Sequence, residues 1–257
     1  SGRAPHGPGE IGLDSVGSDI AHAPIPALPG EHSLMGGIEV DIAVATIIPG
    51  LFAAGEGANV GLNGGNRLGS KSLSECLVFG AAAGRAAGRH AQEAKAPTSN
   101  PVDALLRDET RRVEKRYLEA SEGTEKLSEI RAELGRTMDE HVGVFRTGDG
   151  LKTQVANIEK LRDRYSRLKI EDTSRVFNTE LTAALELDYM LELAEVTTVS
   201  ALNRNESRGA HARRDFPERD DEHFLANTVA THVPNAKPKL SLRPVRITHW
   251  QPQARSY

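Results

Sequence analysis

Gly61-Leu-Asn-Gly-Gly-Asn-Arg-Leu-Gly-Ser-Lys-Ser-Leu-Ser-Glu-Cys-Leu-Val-Phe-Gly80 changes character half-way along. Its first part is a loop in which Gly61, Gly64, Gly65 and Gly69 surround Arg67. From Ser72 the chain reads as a helix, because Leu73, Cys76, Leu77, Gly80, Gly84 and Ala87 recur at helical spacing. Ser70 or Ser72 is placed to cap its first turn, and Ser72 with Glu75 fits a capping box. Glycine permits positive φ and close approach of backbone to a ligand. A helix amino end presents unpaired N–H groups and about half a positive charge. Bare backbone, the Arg67 guanidinium and a helix dipole therefore converge on one point, an arrangement suited to an anionic or electron-rich ligand. A competing reading is a glycine-rich turn before a buried helix, with Arg67 solvated; the pattern alone leaves both open. On either reading the Gly- and Ala-rich stripe predicts a buried face packed close to its neighbour, with Cys76 in the core.

Upstream, residues 1–31 are irregular and rich in proline and glycine. Ile38 and Val40 alternate with Glu39 and Asp41, which predicts a short half-buried strand. Leu51-Phe-Ala-Ala-Gly-Glu56 predicts a buried strand, ending where a carboxylate can meet a ligand hydroxyl. Downstream, the segment from Ala96 to Pro101 is a linker, and the composition then turns charged and helical. Helical stretches are expected over about 102–145, interrupted at Gly123-Thr124, then from Asp149, and from about Asn178 to Asn205. Short connections make these an antiparallel bundle. The last stretch is apolar on most faces and should lie centrally. Asn205 to Asp221 is dense in Arg and Asp and too poor in apolar residues to form a core, so internal ion pairing would have to order it. Leu240, Leu242, Val245 and Ile247 alternate around Pro244 as an edge strand or hairpin. The fold class is α+β.

Bulk properties exclude several functions. The 257 residues carry a formal charge of −4 and 4% aromatics, which gives neither the basic field nor the stacking platforms of nucleic-acid binding. One cysteine, Cys76, excludes an intrachain disulfide and a Cys-rich metal site. No apolar run approaches the roughly 18 residues of a membrane span, and no signal peptide is evident. The chain opens on Ser1 rather than Met, as a segment cut from a longer protein would. Dinucleotide, Walker, zinc-protease and serine-hydrolase motifs are not found, and the nine histidines are scattered.

Separate motifs along the chain carry a family resemblance. His32-x-x-Met-Gly-Gly-Ile, Pro49-Gly-Leu-Phe-Ala-Ala-Gly-Glu56 and Gly65-Asn-Arg-Leu-Gly-Ser-x-Ser-Leu73 resemble the flavoprotein subunit of succinate dehydrogenase and fumarate reductase. Asn205-Glu-Ser-Arg-Gly-Ala-His211 and Arg213-Arg-Asp-Phe-Pro-Glu-Arg-Asp-Asp-Glu222 resemble its carboxyl-terminal region. The resemblance implies FAD as cofactor, with Glu56 bonded to it and Ser72 and Leu73 facing the isoalloxazine through their backbone. It implies that Arg67 and His32 hold a dicarboxylate, succinate or fumarate, during hydride transfer to or from flavin N5. Met35, Gly36, Glu56 and Ala58 resemble a monovalent-cation site. The implied partners are an iron–sulfur subunit and, through it, membrane-anchor subunits, on the cytoplasmic or matrix face of the inner membrane.

The resemblance also assigns segments: 1–31 the end of a capping region, 32–97 the last part of an FAD-binding domain, 102–205 a helical bundle, 206–257 a polar loop and tail. The family's amino-terminal FAD half, its capping domain and its proton-shuttling arginine have no counterpart here, so no catalytic acid is assigned and the chain alone is expected to be inactive. Asn63 stands where many members have histidine, and Lys71 where many have asparagine. Alternatives are an L-aspartate oxidase-like flavoenzyme, and a non-catalytic module over 102–257 that docks a partner subunit.

Overall fold

The computed structural model describes residues 34–95, 101–119, 122–234 and 236–253. The segment 1–31 and His32 lie outside them. The first described region is turn-rich. β1 (Ile38–Glu39) pairs in parallel with β2 (Ala58–Asn59). The backbones approach closely, with Ile38 N–H donating to Gly57 O at 2.9 Å. Gly37 makes this possible: its φ is +148°, and a β-carbon there would lie 2.7 Å from Gly57 O. The expected strand at Leu51–Glu56 does not form; Phe52 makes an isolated bridge to Ala45, and Leu51 is exposed. The apolar run instead follows a turn, in which the Asp41 carboxylate accepts from the Ala43 and Ala45 amides.

Helix α1 (Lys71–Glu93) starts where the glycine loop ends. The capping box is absent: Ser70 is the cap residue, left-handed at φ 65°, and makes no side-chain bond to the helix. Glu75 is turned inward and engaged elsewhere. The expected burial of the Gly/Ala stripe is also overturned. Only Glu75 and Ala86 are buried on this helix, and Cys76 is exposed. A stripe of small residues favours close packing only where a second surface is present, and among the described residues none covers this one.

The bundle is as expected in kind. α2 (Pro101–Val113) runs into a π-helical turn (Glu114–Leu118), followed by α3 (Leu127–Val142), α4 (Gly148–Ser166) and α5 (Thr179–Asn203). Helix starts are written in the sequence: Thr147 Oγ1 accepts from Gly150 N–H at 3.1 Å, and Asn178 Oδ1 from Leu181 N–H at 2.7 Å. α4 is antiparallel to both neighbours. Leu151 clusters with Val142 and Ala201, while Tyr165 reaches Ala184 at the other end. Ile130, Leu134, Ile158, Leu161, Leu187 and Leu191 fill the core between them. α5 is central on one side only, since Tyr189 and Leu193 are exposed. Deep in the core, the Tyr165 hydroxyl donates to Ala184 O at 2.7 Å, so in its 2.6 Å contact with Tyr117 it must accept. Burial, reinforced by Tyr117, pushes the Tyr165 phenol up.

After the bundle, β3 (Phe145–Arg146) pairs in parallel with β4 (Ala212–Arg213), tying the polar segment to the α3–α4 corner. A short helix α6 (Asp221–Phe224) leads into the hairpin of β5 (Ala226–Thr231) and β6 (Lys239–Pro244). The tail is therefore a hairpin, as its alternation suggested.

Candidate functional site

The β1–β2 pairing carries Met35 and Gly36 alongside Glu56 and Ala58. The glycine loop then returns over them. Together Leu34, Met35, Gly36, Glu56, Ala58, Asn63, Arg67, Ser72 and Glu75 line one shallow hollow. The hollow is shallow and open to solvent, far too small to enclose a whole cofactor, so it can seat only an edge of one. The Arg67 backbone is pinned by its N–H contact to Met35 Sδ at 3.2 Å. Arg67 is half-buried rather than fully solvated. Gly61 and Gly64 do take positive φ, at 80° and 59°.

Of the residues singled out from sequence, Met35, Gly36, Glu56, Ala58, Arg67 and Ser72 thus meet in one place. Leu73 follows at the start of α1 and is 71% exposed. His32 lies outside the described residues. One pair escaped the sequence reading. Glu75, 4% exposed, accepts from Asn63 Nδ2 at 2.9 Å. The Ser-x-x-Glu spacing suggested a cap, but the carboxylate turns inward to Asn63 instead.

Behind the loop lies the polar segment, and ion pairing does order it. Glu206 is fully buried, and its carboxylate accepts from Arg204 at 2.6 Å, from Arg208 at 2.9 Å and from the Asp220 amide at 3.0 Å. Burial alone would raise its pKa, but the Arg208 and Arg204 guanidiniums outweigh that and hold it below the usual carboxylate range. Arg213 reaches Asp215 through two 2.8 Å bonds, and Asp215 is held far below its usual range. Arg213 also donates to Ala201 O at 3.2 Å and Arg204 O at 3.1 Å, a cation at the carboxyl end of α5. His211 sits between Arg204 O, 3.1 Å from Nε2, and an Arg146 guanidinium nitrogen, 2.9 Å from Nδ1. Because arginine only donates, Nδ1 accepts and the ring is neutral. Burial, together with the surrounding arginines, depresses the His211 pKa. The turn at Arg208–His211 lies directly against the glycine loop, where Ala210 N–H donates to Gly65 O at 2.8 Å.

A sequence-family model described as "Fumarate reductase flavoprotein C-term" matches residues 131–257, and one described as "FAD binding domain" matches residues 9–73. The chain is 46% identical over 237 residues to the fumarate reductase flavoprotein subunit of Mycobacterium tuberculosis, covering 91% of this chain and 40% of that protein. To the Escherichia coli subunit it is 41% identical, covering 96% of this chain and 41% of that one. A solved E. coli quinol fumarate reductase chain superposes with a TM-score of 0.90 at 39% identity, over 96% of this chain and 42% of that chain. This chain belongs to the fumarate reductase and succinate dehydrogenase flavoprotein family. Its cofactor is FAD. It spans about 40% of the length of the curated relatives it matches. The Mycobacterium smegmatis Sdh1 structure is similar too, at a TM-score of 0.81, 31% identity and 93% coverage of this chain.

The residues present fit one edge of a flavin. The loop offers bare backbone: a β-carbon built at Gly61, Gly64 or Gly69 would meet nothing within 4 Å. Glu56 and Glu75 line the same hollow, while the first turn of α1 carries no acidic residue. Its N–H groups are not consumed by a side-chain cap. Among the described residues no cluster of His, Cys, Asp or Glu could hold a metal, and no helix is long and apolar enough to cross a membrane.

Proposed function

We propose that this chain is the carboxyl-terminal portion of a flavoprotein subunit that interconverts succinate and fumarate. The observation that carries the reading is the seating of Arg67 on the same hollow as Glu56 and Ser72, at the amino end of α1. FAD, when bound, supplies the hydride acceptor or donor. This chain's own residues bind and orient. Arg67 takes one carboxylate of the diacid with its two-pronged guanidinium, a geometry lysine does not reproduce. His32 holds the other end of the same substrate. Glu56 accepts from a cofactor hydroxyl. The Ser72 and Leu73 amides, with the dipole of α1, favour the negative charge of a reduced ring. Carbonyls of Met35, Gly36 and Ala58, with Glu56, suit a monovalent cation beside the ring.

The proton that accompanies hydride transfer is handled by a residue outside this chain, so the chain by itself does not turn over. The segments divide as 1–31, 32–97, 102–205 and 206–257, the first two continuing a capping and an FAD-binding domain. Electrons leave to an iron–sulfur subunit, and membrane-anchor subunits hold the assembly peripherally at the membrane. The test is Arg67→Lys in the complete flavoprotein. Succinate and fumarate turnover should fall at least about a hundredfold, as when a positioning contact is misplaced, with FAD content unchanged. Unaltered kinetics overturn the assignment of Arg67, and oxidation of aspartate but not succinate by the unmutated protein overturns the substrate.

A further inference from the structure

The substrate arginine stands two residues beyond Gly65, and Gly65 is the point at which the glycine loop meets the polar segment. Arg208 and His211 close a tight turn by exchanging backbone bonds, Arg208 N–H to His211 O at 2.8 Å and His211 N–H to Arg208 O at 3.0 Å. At its tip Gly209 is left-handed, with φ +59°, and presses on the loop so closely that a β-carbon there would lie 2.2 Å from Gly65 O and 2.9 Å from Asn66 N. Seen from the other side, a β-carbon on Gly65 would lie 3.1 Å from Arg208 Cγ and 3.2 Å from Arg208 O. The next residue of the turn supplies the bond already described, Ala210 N–H to Gly65 O at 2.8 Å. The turn cannot retreat, because it is anchored from behind. The Arg208 guanidinium is bound by the fully buried Glu206 and, at 2.6 Å, by Asp221. Glu206 is held in turn by Arg204, whose guanidinium is also fixed by the carbonyls of Phe224 at 2.6 Å and Ala226 at 2.8 Å.

We infer that the Arg208–His211 turn is a clamp that sets the position of Arg67, with Gly209 and Arg208 as positioning residues for dicarboxylate binding. The inference rests on the assignment of Arg67 proposed above. A guanidinium must meet a carboxylate within a few tenths of an ångström to bond at both prongs. A loop of glycines has little stiffness of its own. The polar segment supplies that stiffness: a dense ion-pair hub is a rigid backing, and its one glycine tip lets it touch the loop backbone directly. Gly209 is required on two counts, its left-handed φ and the absence of room for a β-carbon. Its role is transmitted through the loop and involves no contact with substrate.

The test has two readouts. In the 257-residue chain, amide hydrogen exchange is followed in Gly209→Ala and in Arg208→Lys, which keeps the charge but not the bidentate grip. The clamp predicts faster exchange across residues 61–69 with exchange in α5 unchanged. Equal exchange in the loop, or a uniform increase through α5 as well, overturns it. In the complete flavoprotein, both variants should raise KM for the dicarboxylate about tenfold or more at full FAD content, since a displacement near 1 Å can cost a hundredfold. Unchanged KM overturns the inference, because a purely structural role lowers the amount of folded enzyme and leaves KM alone. Arg67→Lys measured alongside separates the failures. If it impairs turnover and the turn variants do not, the clamp is wrong and the assignment of Arg67 stands. If it too is without effect, the assignment of Arg67 has failed.

Discussion

His211 is a half-buried base held neutral, with one ring nitrogen donating to Arg204 O and the other accepting from Arg146. Protonation would break the second contact and add a cation among arginines, which is why its folded pKa lies below its ordinary value. In the unfolded chain the ring titrates near 6.5. The unfolded state therefore binds more protons wherever the pH falls below about 6.5, and stability is lost over that window until the depressed folded value is reached. Above the window the contribution is fully present. The slope is at most about 1.4 kcal/mol per pH unit for one such group. Urea midpoints of the chain should fall between pH 7.5 and 5.5, and His211→Gln should flatten that part of the profile; an equal slope in the variant would refute the account. In the sequence this position appears only as the end of the Asn205–His211 stretch, with nothing to mark its protonation state. Arg67 and Glu56 were legible because glycines and a helix start bracket them. Glu75 was misread because a Ser-x-x-Glu spacing looks the same whether the carboxylate turns back to the backbone or inward to Asn63.

The elements of the bundle were readable because each carries its own signals: a periodic apolar face, a Thr or Asn cap, a glycine or polar break. What the periodicity could not give is how the polar atoms inside the core are shared. The paired phenols make a directional chain, Tyr117 donating to Tyr165 and Tyr165 to Ala184 O. Tyr165→Phe leaves the Tyr117 hydroxyl buried without its acceptor and should cost about 1–3 kcal/mol. Tyr117→Phe leaves Tyr165 still donating, and should cost nearer 1 kcal/mol. Chemical denaturation of the two variants checks the order, and a larger loss for Tyr117→Phe would reverse the assigned direction. The polar segment from Arg204 to Asp221 gave the opposite lesson. Its lack of apolar residues argued against a core, correctly, yet it is densely cross-bonded by its own side chains. Arg204, Glu206, Arg208 and Asp221 satisfy one another so fully that charge takes the place of apolar packing. Removing one member would strand a buried charge, the costly way to break such a network.

At the scale of the molecule, the clearest mismatch between pattern and structure is α1. Its periodicity is that of a buried helix, but Leu73 is 71%, Leu77 76% and Val78 62% exposed. A single exposed leucine is ordinary, whereas a contiguous apolar face on the helix that begins at the hollow marks a contact surface. The curated relatives extend well beyond the segment this chain spans, and the FAD-binding match runs from residue 9 only as far as the start of α1. We propose that the apolar face of α1 packs against the remaining part of the FAD-binding domain in the complete protein, which would complete the cofactor pocket of which this chain holds one edge. Leu77→Asp discriminates this from a helix that is simply exposed. In the 257-residue chain the substitution falls on a solvated position and should change stability by no more than about 0.5 kcal/mol. In the complete flavoprotein it would bury an unpaired carboxylate between two packed surfaces, costing about 3 kcal/mol or more and emptying the site of FAD. The measurement is flavin absorbance per polypeptide beside the melting temperature of both forms. Full flavin content in the complete Leu77→Asp protein would mean that α1 faces water there too, and that its apolar stripe is not the seam.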